Sequence, residues 1–149
     1  MIQIPLRDGV AAGPGPFVHP ENETFWRSID EGKLRLQKCS ACGTIRFPVA
    51  PCCWRCLSMD HQWVDVDADG TVAVAVSVER ATGNPVWQDA VPFLTGLVDT
   101  HAGIRLPGRI LCRCGKGAVN GTKVGVVRIR TRSDHLAYAF EHNCEGNMT

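Results

Sequence analysis

Residues 39–56 read CSACGTIRFPVAPCCWRC, and this stretch decides the fold. Two Cys-x-x-Cys knuckles, Cys39/Cys42 and Cys53/Cys56, flank a ten-residue excursion. Each pair can aim two thiolates at one ion. Together they supply the closed tetrahedral shell that structural zinc prefers. Such a shell leaves no open position for water, so the expectation is one structural Zn²⁺ per chain that staples a ribbon and catalyses nothing. Iron in the same shell, which would make a redox carrier, is the competing reading; nothing nearby suggests electron transfer. Cys52 adjoins Cys53 but would give a looser knuckle with Cys56, so Cys53 is the expected ligand. Gly43 can adopt the positive φ that a tight metal-binding turn often needs.

Outward from the ribbon, the N-terminal side is short. Residues 1–21 hold Gly9, Gly13, Pro14, Gly15, Pro16 and Pro20 and read as an extended arm. A helix is predicted from Glu23 to Glu31, with Asn22 as N-cap and Gly32 at the left-handed C-terminal position. Phe25 and Ile29 share one face of it, with Trp26 beside them. The plain reading packs this helix on the domain; the sharper one turns Phe25 and Trp26 toward another protein. Lys33–Lys38 alternates and predicts a strand into the first knuckle.

On the C-terminal side the pattern is all-β. Strands are predicted at 62–67, 71–78, 93–99, 105–111, 123–132 and 136–140. Thr71–Val78 is the clearest, with Val72, Val74, Val76 and Val78 at period two on one face. Five or six short strands at this spacing suggest a small, closed or partly closed barrel. The expected organisation is therefore an arm (1–21), helix and ribbon (22–60), barrel (61–142) and tail (143–149).

Composition sets limits. The chain has 149 residues, 44% hydrophobic and 21% charged, with formal net charge +1. That suits an ordinary folded domain and supplies no global field for nucleic acid or an anionic membrane. No apolar run is long enough to cross a bilayer and the N-terminus lacks a secretory pattern, so a cytoplasmic location is expected. There, eight cysteines argue for metal binding over disulfides. Charge is nonetheless uneven: Arg105, Arg109, Arg113, Lys116, Lys123, Arg128, Arg130 and Arg132 fall in a stretch without Asp or Glu. The plain reading is solvated strand faces; the sharper one is an anion site. Cys112-x-Cys114 with Cys144 could make a second metal or redox site, against the plainer reading of one buried cysteine and two incidental ones. The five histidines form no pattern with an acid and a nucleophile, and there is no phosphate-binding Gly-rich loop.

The ordered set of Phe25-Trp26, Gly32-Lys33-Leu34, Cys39-x-x-Cys42-Gly43, Pro48, Cys53-x-x-Cys56, Gly70, Pro92, Gly103-Ile104-Arg105-Leu106 and Gly121-x-x-Val124 resembles a family of small proteins. In that family a rubredoxin-like zinc ribbon precedes an OB-fold, and its members occur beside thiolases and other acyl-CoA enzymes. The likeness covers about residues 22–140. Trp54, Val49 and Ala50 depart from its usual residues. The resemblance implies a mainly β fold: an N-terminal helix, a rubredoxin-like ribbon, then a five- to six-stranded OB-fold barrel. It also implies a non-catalytic accessory subunit, required by a thiolase-type acyltransferase complex and helping to shape the CoA-ester site. Its partners would be a thiolase-fold large subunit and acyl-CoA, with an aldolase or hydratase as alternative partner. Candidate partner contacts are Phe25, Trp26, Arg46, Phe47, Trp54 and Arg55. Candidates for the CoA phosphates are Arg105, Arg109 and Lys123. A nucleic-acid-binding ribbon/OB module is the competing class, weakened by the +1 charge and the few barrel aromatics.

Overall fold

The computed structural model describes residues 3–83, 85–112 and 117–142. Chain order is β1 (Leu6–Arg7), α1 (Glu23–Asp30), β2 (Arg35–Cys39), β3 (Ile45–Arg46), β4 (His61–Asp65), β5 (Gly70–Val78), a 3₁₀ turn (Pro85–Trp87), β6 (Phe93–Thr100), β7 (Arg105–Leu111), β8 (Lys123–Arg130) and β9 (Leu136–His142). The mainly β architecture expected from the sequence is present.

The strands make two sheets. β3, β2 and β4 form a small antiparallel sheet, the ribbon. The residues of β4 thus pair with the ribbon strand β2, not with the barrel. In the other sheet β5 pairs with β6, β6 with β7, β7 with β9, β9 with β8, and β8 returns to β5. That circuit of five strands closes a barrel; the β7–β9 pair is parallel, and β1 adds a short parallel strand outside β8. One apolar core runs through everything. Phe25 and Ile29 of α1, Leu34 and Leu36 of the ribbon, and Val72, Val98, Leu106, Val124 and Phe140 of the barrel belong to a single buried cluster.

The helix ends as its sequence dictates. Gly32 takes φ +90°. Its N–H donates to the Ile29 carbonyl, and Lys33 N–H donates to the Ser28 carbonyl at 2.8 Å. This is the double bond set of a glycine-terminated helix. Ser28 is buried: its hydroxyl donates to Phe25 O and accepts Arg35 N–H, tying helix to ribbon. At the other end Asn22 precedes the helix, but its side chain makes no cap bond. It accepts from His19 N–H and donates to Phe17 O, so it orders the arm instead.

The valine strand departs from expectation. Register shifts between Val72 and Val74, opposite Val98 and Leu97. The bulge at Ala73 adds one residue and reverses the inward and outward sides beyond it. Val72 is buried, whereas Val74 and Val76 are exposed and Ala75 packs against the core. The four valines therefore do not share a buried face. Gly96 pairs with Ala75 just past the bulge, where a Cβ would collide with the Val74 carbonyl oxygen.

The arm lies on the barrel. Ile4 is buried, and its N–H donates to Gly32 O. Leu6 and Arg7 pair with Arg128 and Ile129. Arg128 donates to Ile4 O and to the last helical carbonyls, Ile29 O and Asp30 O. A cation at a helix C-terminus also suits the dipole.

Candidate metal centre and its surface

β2 carries Cys39 at its end, and the β2–β3 turn carries Cys42. Cys39 N–H donates to Thr44 O, and Gly43 N–H donates to Cys39 O, with Gly43 at φ +78°. The second knuckle repeats the turn: Cys53 N–H donates to Ser58 O, and Leu57 N–H donates to Cys53 O. These turns aim four sulfurs inward. Cys39 Sγ lies 3.5 Å from Cys56 Sγ, and Cys42 Sγ 3.7 Å from Cys53 Sγ. All four lie within 4.8 Å of one another. Ligands about 2.3 Å from one tetrahedral ion sit at such separations, so the donor set fits zinc. Cys52 is outside this group, which resolves the choice between the adjacent cysteines in favour of Cys53.

The thiols are unequal. The Thr44 hydroxyl and its backbone N–H draw the Cys42 thiol down to about 6. The Cys42 backbone N–H also holds Cys39 below its ordinary value. Cys56, crowded by the other thiols and desolvated, is pushed up to about 12 against the lowering effect of the Ser58 N–H. Neighbouring thiols cannot all shed protons without a cation among them. Zinc supplies that cation. With four thiolates around it the ion is sealed, and its role is structural.

A family model for the ChsH2 rubredoxin-like zinc ribbon domain matches residues 26–61. Residues 26–61 are thus similar to a ChsH2-type zinc ribbon. The rest of the fold has known counterparts. The chain named Ltp2-ChsH2(DUF35) aldolase superposes with TM-score 0.74 at 23% identity, over 86% of this chain and 98% of that one. A DUF35-family protein of unknown function from Sulfolobus solfataricus gives TM-score 0.57 at 18% identity, over 85% and 87%. In sequence, 97 residues are 33% identical to the "Probable enoyl-CoA hydratase alpha subunit" of Thermomonospora curvata. That match covers 64% of this chain but 29% of the relative. The zinc ribbon, read from sequence as a likeness, is what the family model returns, and the solved structures show a similar overall fold.

Around the ribbon the predicted contact residues divide. Trp54 is 71% exposed, and Arg55 is exposed. Sequence reading missed their neighbours Leu57 (74% exposed) and Met59 (71%). The signal was two apolar residues in the short, otherwise polar loop after the last cysteine. Leu57 holds φ +65°, a conformation leucine rarely adopts. Trp26 and Phe47 are half-buried. Phe25 and Arg46 are not on the surface. Phe25 is 2% exposed, packed edge-on against Trp26 and Tyr138 and tilted against Phe47. Arg46 is 3% exposed; Nε donates to Gln37 Oε1 and Nη2 to Ala50 O. Gln37 Oε1 also accepts Ala50 N–H, so this pair braces the excursion from within. Arginine is usually a surface residue, which is why the sequence suggested a contact.

The basic run is mostly engaged in structure. Arg105 donates to both Asp99 oxygens, Arg130 pairs with Asp8, and Arg132 with Asp89. Arg109 donates to Ala11 O and stacks 5.1 Å over the Phe93 ring. Desolvation holds its pKa below the ordinary arginine value. Arg105 and Lys123 belong to one cross-strand row, Lys123–Thr71–Asp99–Arg105, and Arg109 lies farther along β7. Arg113, Lys116, Cys114 and Cys144 lie outside the described residues. The barrel aromatics build no stacking platform: Trp87 and Phe93 pack on each other at 5.1 Å, and Phe140 is buried. Among the described residues no helix is long and apolar enough to cross a membrane.

Proposed function

We propose that this chain is an accessory subunit of an acyl-CoA-processing enzyme, docking through its zinc ribbon. The observation that carries this reading is the second knuckle. A sealed metal braces a short loop that puts Trp54, Leu57 and Met59 into solvent beside Arg55. Apolar side chains grouped on a rigid loop signal a protein contact, and tryptophan and arginine are the residues that dominate such contacts. The kind of partner is supported by the relatives, one named for an aldolase and one for an enoyl-CoA hydratase subunit. Among acyl-CoA enzymes our reading favours a thiolase-type large subunit that makes or breaks a carbon–carbon bond. It would supply the nucleophile and the acid/base groups, and this chain would shape the CoA-ester site. For the CoA phosphates we favour Lys123 and Arg105, which share a row, over Arg109, which holds the arm.

The test is co-expression of the full chain with a thiolase, an aldolase and a hydratase large subunit from the same genome, followed by size-exclusion chromatography. A stable complex with the thiolase supports the full reading. A complex with the aldolase or hydratase alone corrects the partner, and no complex with any of the three overturns the proposal.

A further inference from the structure

One edge of β5 has no neighbour over its second half. β8 pairs with β5 only at Gly70 and Thr71, and the bonds of Val72 with Thr122 and Gly121 end that seam. Further along β8, the edge that β5 leaves is taken by β1, opposite Arg128 and Ile129. Residues 74–78 pair with β6 alone, and among the described residues nothing bonds their other edge. Charged side chains or proline usually guard such an edge. Here it reads Val-Ala-Val-Ser-Val, and Val74 and Val76 are 45% and 54% exposed.

The same end of β5 opens on a cavity of about 510 Å³, lined by Ser77 and Glu79, by Phe93 and Leu94 of β6, and by Arg109 of β7. Its acids have partners: Asp8 pairs with Arg130 at 3.1 Å, and the exposed Glu79 accepts the Ser77 hydroxyl at 2.6 Å. Arg109 pairs with no carboxylate among the described residues. Its Nη1 donates to Ala11 O at 2.8 Å, its guanidinium lies over the Phe93 ring, and Nε is buried without an acceptor. Nη2 likewise meets no acceptor among the described residues. A half-buried guanidinium held by one carbonyl and a ring favours an anion.

We propose that residues 74–78 and this cavity form a groove for an extended peptide of a partner protein, one that ends in an apolar residue and a carboxylate. The peptide adds a strand to the free edge through main-chain hydrogen bonds. Its last side chain enters the cavity beside Phe93 and Leu94, and its carboxylate takes the open Nη2 of Arg109. A second copy pairing through its own β5 fits less well: that strand reads GTVAVAVSV and brings the arginine no acid. The groove belongs to the barrel, so it stands or falls apart from the enzyme that the ribbon docks on.

The probe is a fluorescein-labelled peptide, Lys-Thr-Val-Thr-Val-Thr-Val with a free C-terminus, titrated with the full chain and read by anisotropy. Saturable binding is expected below about 1 mM. The amidated peptide should bind about 10-fold more weakly or worse, as loss of a charge-assisted hydrogen bond requires. Of two peptides N-methylated at alternate backbone amides, one should lose binding. In R109Q the acid and amide forms should bind alike, an effect that a merely loosened arm would not produce. Amide shifts in the wild type should fall on residues 74–79 and on Phe93, a readout that needs no variant to fold. No binding by about 1 mM overturns the proposal, as do equal affinities for acid and amide in the wild type or undiminished binding of both N-methylated forms. Hexanoate binding as tightly as the peptide overturns it in favour of a small-anion site, and a dimer whose contacts map to residues 74–78 overturns it in favour of a second copy.

Discussion

Replacing Phe25 with alanine separates two roles that sequence alone left open. If Phe25 were a docking residue, its loss would weaken association and spare the fold. Its place in the structure predicts the reverse. The side chain is 2% exposed. Its ring centroid lies 4.9 Å from Trp26, 5.7 Å from Phe47 and 6.1 Å from Tyr138. Helix, ribbon and barrel therefore meet on one ring. A buried phenylalanine takes about 150–250 Å² out of water. At about 25 cal/mol per Å² that is about 4–6 kcal/mol, and measured Phe→Ala costs in cores run about 3–5 kcal/mol. For a chain of this length each kcal/mol moves the melting midpoint by about 2–4 °C. F25A should therefore melt about 6–20 °C below wild type in a calorimetric scan at matched zinc. A midpoint within about 2 °C of wild type, with binding to the enzyme partner lost, would refute the reasoning and return Phe25 to the interface.

Four further outcomes follow from the same structure. W54A should melt within about 2 °C of wild type, because exposed positions rarely matter to stability, yet bind the proposed partner about 30-fold more weakly, as loss of a ~2 kcal/mol hot spot requires; a calorimetric scan reads the first half and isothermal titration the second. C53S should lose the ribbon ion and C52S should keep it, measured as zinc released to a chromophoric chelator. G96A should cost about 1–3 kcal/mol in urea denaturation, since the Val74 carbonyl must give way across the bulge. The Arg105 hydrogen bond holds Asp99 below its ordinary 3.8, and a depressed folded value stabilises above the unfolded one. The small stability gap between wild type and R105Q should thus be full at neutral pH and close as pH falls through that acid range; a gap that widens in acid would contradict this sign.

Much of this molecule was legible in its sequence, for identifiable reasons. Metal spacing is a local code, so Cys39, Cys42, Cys53 and Cys56 could be paired without a structure. Strand alternation is also local, and 105–111 matches β7 residue for residue. The helix end was legible because Gly32 supplies a backbone conformation that other residues resist. Nonlocal facts were not legible. Period-two hydropathy locates a strand, but a single bulged residue at Ala73 turns Val74 and Val76 to solvent. Arg46 and Phe25 carry residue types common at interfaces, and only the fold shows that Gln37 and Ala50 claim the one and that three rings enclose the other. The basic run looked like a ligand site because its acidic partners, Asp8, Asp89 and Asp99, are distant in sequence from most of it.

The arm has a consequence for the order of events during synthesis. Ile4 leaves the ribosome before the rest of the fold, yet the guanidinium that donates to its carbonyl belongs to Arg128, 124 residues later. Gly32 can hold Ile4 early, but Leu6 and Arg7 have no strand to join until β8 exists. Leu6 and Arg7 of the nascent chain therefore wait unpaired until β8 is made, and contacts between distant residues of this kind form slowly. An affinity handle fused ahead of this arm would sit beside a seam that closes late in synthesis.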